Sequence, residues 1–243
     1  MKDSPLTREQ ALDHAWKLAK ELRRVMGDEL LMAAAYGSVV RGDFDPHRSD
    51  VNLLLCVENV ETGTLARLAG PLQEAHAALR CAPLVLSRQE ILRGADVFAA
   101  KFTDIRRSHV LLEGTDLLEP LTIEPKDLRF ACEHELRNIA LKLRRAYLLE
   151  RPNVGPVLAS VRTFVPQLLG VLRLLAGSPE AQVDASRWVP DAAKKVGFEP
   201  FAVLGALALR DGPRTPWPEV ERRMGGLFAA IERICDYVDR LST

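Results

Sequence analysis

A chain of 243 residues has room for one large domain or two small ones. Its 33 Lys and Arg balance 33 Asp and Glu, so no global basic excess points to a nucleic-acid partner. No apolar run approaches the roughly 20 residues that span a bilayer, and the opening MKDSPLTREQ lacks the apolar core of a signal peptide. The four cysteines (Cys56, Cys81, Cys132, Cys235) form no C-x-x-C pair and read as reduced, buried thiols, while His14, His47, His76, His109 and His134 show no zinc-ligand spacing. The expectation is a cytoplasmic protein with no membrane partner.

Along the chain, Thr7 to Met26 carries apolar residues at Ala11, Leu12, Ala15, Trp16, Leu18, Ala19, Leu22 and Val25. That stripe predicts a helix, with Ser4 or Thr7 placed to cap it. Leu30 to Tyr36 is a short apolar run of strand length ending at Gly37-Ser38. A helical turn over Ser38 to Arg41 and a loop through Gly42 and Pro46 follow. Asp50 to Val57 reads as a buried strand. Glu61 to Leu79 reads as a helix interrupted by Gly70-Pro71, and Pro83 to Leu86 as a short strand. Ser87-Arg88-Gln89-Glu90 is a capping-box pattern. Val97 to Ile105 reads as a further strand, then a helix or loop leading to Glu113-Gly114-Thr115-Asp116.

From Pro125 onward nothing reads as a strand. Lys126 to Glu150, Gly155 to Leu175 (with a bend at Pro166), Asp184 to Val196, Pro200 to Leu209 and Pro218 to Leu241 all read as helices. The sequence therefore predicts an α+β protein: a small mixed-sheet domain over residues 1–124 followed by an all-helical bundle over 125–243.

The densest chemical pattern is Gly37-Ser38, eleven residues, then Asp50-Val51-Asn52. A glycine after a strand lets backbone approach a ligand closely, and free N–H groups at the start of a helical turn suit a phosphate. Side chains alternate along a strand, so Asp50 and Asn52 are expected on one face. Two oxygen donors at i and i+2 can hold a hard cation such as Mg²⁺. Taken singly, a Gly-Ser turn is common, and an Asp at a strand start is often only a cap.

In order and at this spacing, the segment YGSVVRGDFDPHRSDVNLLL resembles the signature of the DNA polymerase β-like nucleotidyltransferase superfamily. Arg41-Gly42 and Ser49 ahead of Asp50 recur at these places in small bacterial members. The resemblance implies that Gly37, Ser38 and Arg41 face a nucleotide, ATP or another NTP. It implies that Asp50 and Asn52 occupy the positions of the catalytic, metal-binding acids. Asn52 is an amide where the family has a carboxylate, so Mg²⁺ binding is expected to be weak or absent. The segment FAAKFTDIRRSHVLLEGTDLLEPL resembles one found in predicted bacterial nucleotidyltransferases, with Lys101 where those proteins carry a Glu. An ammonium there would repel Mg²⁺ and could itself hold a phosphate. Asp96, Asp104 and Glu90 are the other acids nearby and read as solvated surface residues.

In the helical half, Arg137, Lys142, Arg144, Arg145 and Arg151 could reach a triphosphate across a cleft between the halves. They also follow Glu124, Asp127, Glu133 and Glu135, the charge order that a helix dipole favours. Arg129 and His134 repeat a spacing seen in helical ribonuclease toxins that pair with small nucleotidyltransferases, and composition alone can also supply it. Three functions stand. The first is a nucleotidyltransferase-fold protein with a degenerate metal site that binds nucleotide or regulates. The second is an enzyme that moves a nucleoside monophosphate from NTP to a small molecule or protein. The third is an antitoxin-like interaction module. The acceptor and the oligomeric state are not written in the sequence.

Overall fold

The structure is a computed structural model and describes residues 6–47, 49–177, 184–209 and 215–241. The chain divides into two compact units, Met1–Ile123 and Glu124–Thr243.

The first unit begins with helix α1 (Arg8–Met26), which Thr7 caps through a reciprocal box with Gln10; Ser4, the other expected cap, lies outside the described residues. A short 3₁₀ turn leads to β1 (Leu30–Tyr36), α2 (Ser38–Arg41), β2 (Val51–Val57), α3 (Thr62–Leu79) and β3 (Cys81–Ser87). Then come α4 (Arg88–Arg93), α5 (Ala99–Arg107) and β4 (His109–Gly114). The strands lie in the order β3-β2-β1-β4. β1 runs antiparallel to both β2 and β4, while β2 and β3 are parallel and joined by the α3 crossover.

Each face of the sheet has its own core. Ala33 and Ala35 of β1 with Val51, Leu53 and Leu55 of β2 pack against α1 and α3. Met32, Ala34 and Tyr36 with Leu54 and Cys56 pack against Ile91 of α4 and Phe102 and Ile105 of α5. A register shift between Leu30 and Met32 puts Leu30 in the first core beside the odd-numbered alanines. Asn52 shares the parity of Leu54 and Cys56, which assigns it to the α4–α5 side.

Three expectations change. Residues 99–107 form a helix, where the sequence suggested a strand over 97–105: Ala99, Phe102, Thr103 and Ile105 are buried at helical spacing, and Thr103 Oγ1 donates to the Ala99 carbonyl at 2.7 Å. Burying Phe102 alone is worth about 1.5–3 kcal/mol, enough to fix that face. The strand falls instead at His109–Gly114, on the outer side of β1. Gly70-Pro71 does not interrupt α3, which runs unbroken with Pro71 inside it.

The second unit contains α6 (Pro125–Glu150), α7 (Val154–Ala176), α8 (Ala185–Val196), α9 (Pro200–Leu209) and α10 (Trp217–Asp239). Among its described residues there is no strand. α6 packs on α7 and α10, and α7 also packs on α8 and α9. Tyr147 of α6 stacks on Trp217 at 5.8 Å, meets Phe228 edge-on at 6.0 Å and donates its hydroxyl to Glu221 at 2.6 Å. α7 is long and apolar enough to cross a membrane by length and composition, contrary to the expectation that no such run exists. Half of that stretch is buried within the protein, where Val157, Leu158, Val161, Val165, Leu168 and Leu172 build the core of the bundle.

Candidate functional site

The site grows from the end of β1. Gly37 caps α2 with φ 81° and ψ −150°, backbone that only glycine adopts without strain. A Cβ built on Gly37 would stand 2.7 Å from Nδ2 of Asn52. The turn and the amide are therefore packed against each other, which brings Gly37 and Asn52 together. Asn52 is the Cα partner of Tyr36 on one side and of Ala82 on the other. The run of β3, CAPLVLS, carries no acid at all.

Asp50 stands apart from this strand geometry. It precedes β2, at the end of the loop, with its side chain 57% exposed. Its partner is Arg80, whose Nε lies 3.8 Å from Oδ1. Arg80 was not singled out by the sequence. It closes α3 in the left-handed conformation, at φ 52°, the one non-glycine with positive φ among the described residues. Its guanidinium donates to the carbonyls of His47 (2.6 Å), Ser49 (2.7 Å) and Pro46 (3.4 Å). One side chain thus ties down the loop that delivers Asp50. A second guanidinium does the same for the turn: Arg8 of α1 donates to the carbonyls of Val39 (2.8 Å) and Val40 (3.0 Å), the last orphan acceptors of α2.

Arg41 faces carboxylates. It lies 3.4 Å from Asp43 and 3.8 Å from Asp104 of α5, with its own side chain only 16% exposed. Asp104, expected as a solvated surface acid, is in fact 30% exposed and paired. Lys101, one turn earlier on α5, holds Nζ 5.5 Å from the centre of the Tyr36 ring. Its position is on a helix over the sheet and not on a strand within it. Burial, followed by the nearby Asp104 charge, pushes the Tyr36 phenol up to about 12. Glu90 is occupied elsewhere, closing the capping box with Ser87, and Asp96 accepts from the Val97 N–H.

One further pair escaped the sequence. His109 is the Cα partner of Tyr36 on β4, and its Nε2 lies 2.8 Å from Asp116 Oδ2, while Nδ1 lies 3.0 Å from the Ile105 carbonyl. The other Asp116 oxygen accepts the Leu118 N–H at 2.8 Å. The pair fastens β4 to α5 and to the segment after the strand. Among the described residues, no cluster of three His, Cys, Asp or Glu side chains is arranged to hold a metal ion.

In the second unit, Arg129 and Arg137 of α6, and Arg151 just after it, are engaged with acids. Arg137 lies 3.3 Å from Glu133 and 3.1 Å from Asp239, and Arg151 lies 3.1 Å from Glu221. Arg129 pairs with Glu133, and His134 lies beside Asn138.

No protein-family model matches the sequence, and no curated protein matches it significantly. A solved structure does match in shape: spectinomycin adenyltransferase AAD(9) from Enterococcus faecialis, a crystal structure with ATP and spectinomycin. The alignment has a TM-score of 0.52 at 13% identity and covers 91% of this chain and 99% of that one. The chain therefore has a nucleotidyltransferase fold, with a mixed-sheet part and a helical part.

Proposed function

We propose that this is a nucleotide-binding protein of nucleotidyltransferase fold whose metal site is degenerate, with a binding or regulatory role. The observation that carries the reading is Asn52 itself: an amide seated against the Gly37 turn, with Ala82 opposite on β3. Nucleotidyl transfer asks little covalent help of a protein and relies on two metal ions that clamp the attacking and leaving oxygens. The donors present do not fit such a pair of ions. Asp50 is one carboxylate, shared with Arg80, and Asn52 offers one neutral carbonyl oxygen. Affinity for a hard cation depends on how many charged ligands it meets. Of the cations nearby in the unit, Arg41 is paired with Asp43 and Asp104, Arg80 with Asp50, and Lys101 stands over the Tyr36 ring. Gly37, Ser38 and Lys101 would face the nucleotide.

A second reading, active transfer of a nucleoside monophosphate to a small-molecule or protein acceptor, draws support from the adenyltransferase that shares the fold and was crystallised with ATP and a small molecule. Incubation with each of the four α-labelled NTPs and Mg²⁺, followed by separation of labelled products and calorimetric titration of the same nucleotides, discriminates the two. Binding without labelled product supports the degenerate reading. Robust transfer overturns it, and absence of binding to all four overturns both.

A further inference from the structure

Position 52 holds a neutral amide, and one side chain of α5 adds a positive charge on the same side of the sheet. Lys101 places its ammonium over Tyr36, the cross-strand neighbour of Asn52. The other two cations are committed: Arg41 to Asp43 and Asp104, Arg80 to three loop carbonyls and Asp50. Lys101 is exposed, and among the described residues its ammonium pairs with no carboxylate. An ammonium resting on an aromatic face keeps its full charge and its donors toward solvent.

We propose that Lys101 is the phosphate-binding residue of a metal-independent polyphosphate site, standing in for the divalent cation that a full set of acids would hold. The inference rests on the nucleotide-binding reading above and specifies its mode. A lysine at the site supplies the charge that a bound metal would otherwise supply, and the same ammonium repels Mg²⁺. The ligand class is a nucleoside polyphosphate recognised through its phosphates, with the base and sugar adding affinity.

The test is calorimetric titration of the full chain with ATP, in EDTA and in excess Mg²⁺, for wild type, K101M and K101R, with tripolyphosphate as a competitor. Wild type should bind ATP at least as tightly in EDTA as in Mg²⁺. K101M should weaken binding by about tenfold or more, and K101R should recover most of it. Because Lys101 is exposed, K101M should leave the thermal midpoint unchanged, which separates lost binding from lost fold. Tripolyphosphate should displace ATP. ATP binding that requires Mg²⁺, wild-type affinity in K101M, or no displacement by tripolyphosphate overturns the Lys101 assignment and leaves nucleotide binding standing. No ATP binding in either buffer overturns both.

Discussion

Nδ2 of Asn52 occupies the space beside Gly37 so closely that a methyl group on Gly37 would meet it at 2.7 Å. The residue that departs from the expected acidic pair is thus also the residue that fills the floor of the turn. Position 52 has a packing role, to which the function proposed above adds a chemical one, and the two can be separated.

Gly37→Ala should destabilise the first unit by about 1–3 kcal/mol, through positive φ and through collision with Asn52. Removing the amide in an Asn52→Ala background relieves the collision but not the backbone. The double variant should therefore recover only part of the loss in thermal or urea unfolding. Full recovery would show that φ contributes nothing.

Asn52→Asp restores a carboxylate at nearly constant volume. Metal-linked nucleotide affinity should rise by about 1–2 kcal/mol, roughly tenfold, at an effective dielectric near 20 and after desolvation. Transfer activity should stay low, since β3 offers no further acid beside it. Titration of ATP with and without Mg²⁺ on both proteins checks this. An unchanged Mg²⁺ dependence would mean that position 52 does not face the cation.

Arg80 combines a left-handed backbone with a clamp on loop 46–50, and two substitutions divide these roles. Arg80→Ala loses the clamp and keeps the Cβ strain of the left-handed backbone, while Arg80→Gly loses the clamp and relieves that strain. Both should speed amide hydrogen exchange across residues 46–50. Arg80→Ala should be less stable than Arg80→Gly by about 1 kcal/mol. Equal exchange in wild type and variants would show that the guanidinium does not restrain the loop.

Alkaline pH should weaken the fold. The Tyr36 phenol ionises near 10.0 when unfolded and about 12 when folded, so the folded state holds its proton longer. That contribution is complete below pH 10 and is lost as pH rises toward 12. It amounts to about 2–3 kcal/mol at full development. Cys56 and Cys81, pushed up by burial to about 12 and about 11, act in the same sense over an overlapping window. Tyr36→Phe should therefore flatten, without abolishing, the fall in stability measured by urea unfolding from pH 9 to pH 12. An identical slope would place the Tyr36 hydroxyl in water.

The strand, turn and strand around Gly37 were legible because apolar runs, a glycine and alternation are local signals. The Val97–Ile105 segment was not. Val97 and Ala99 are spaced like a strand while Phe102 and Ile105 are spaced like a helix, and burial of Phe102 under the sheet decides between them. That misreading also hid β4 and put Lys101 on the wrong kind of element. Arg8 and Arg80 left no pattern to read, because each acts through backbone carbonyls more than 30 residues away. Partners that are carbonyls have no residue type, so no motif can announce them.

The Arg80 clamp has a consequence for how this chain can diverge. Asp50 is delivered by a loop whose shape is read, carbonyl by carbonyl, by a side chain at the far end of the α3 crossover. A one-residue insertion between Gly42 and Asp50 would shift those carbonyls out of the reach of Arg80, although nothing in the Gly-Ser turn or β2 had changed. Loop length and residue 80 therefore constrain each other. In relatives of this chain, a loop of different length should arrive with a different residue at the end of α3.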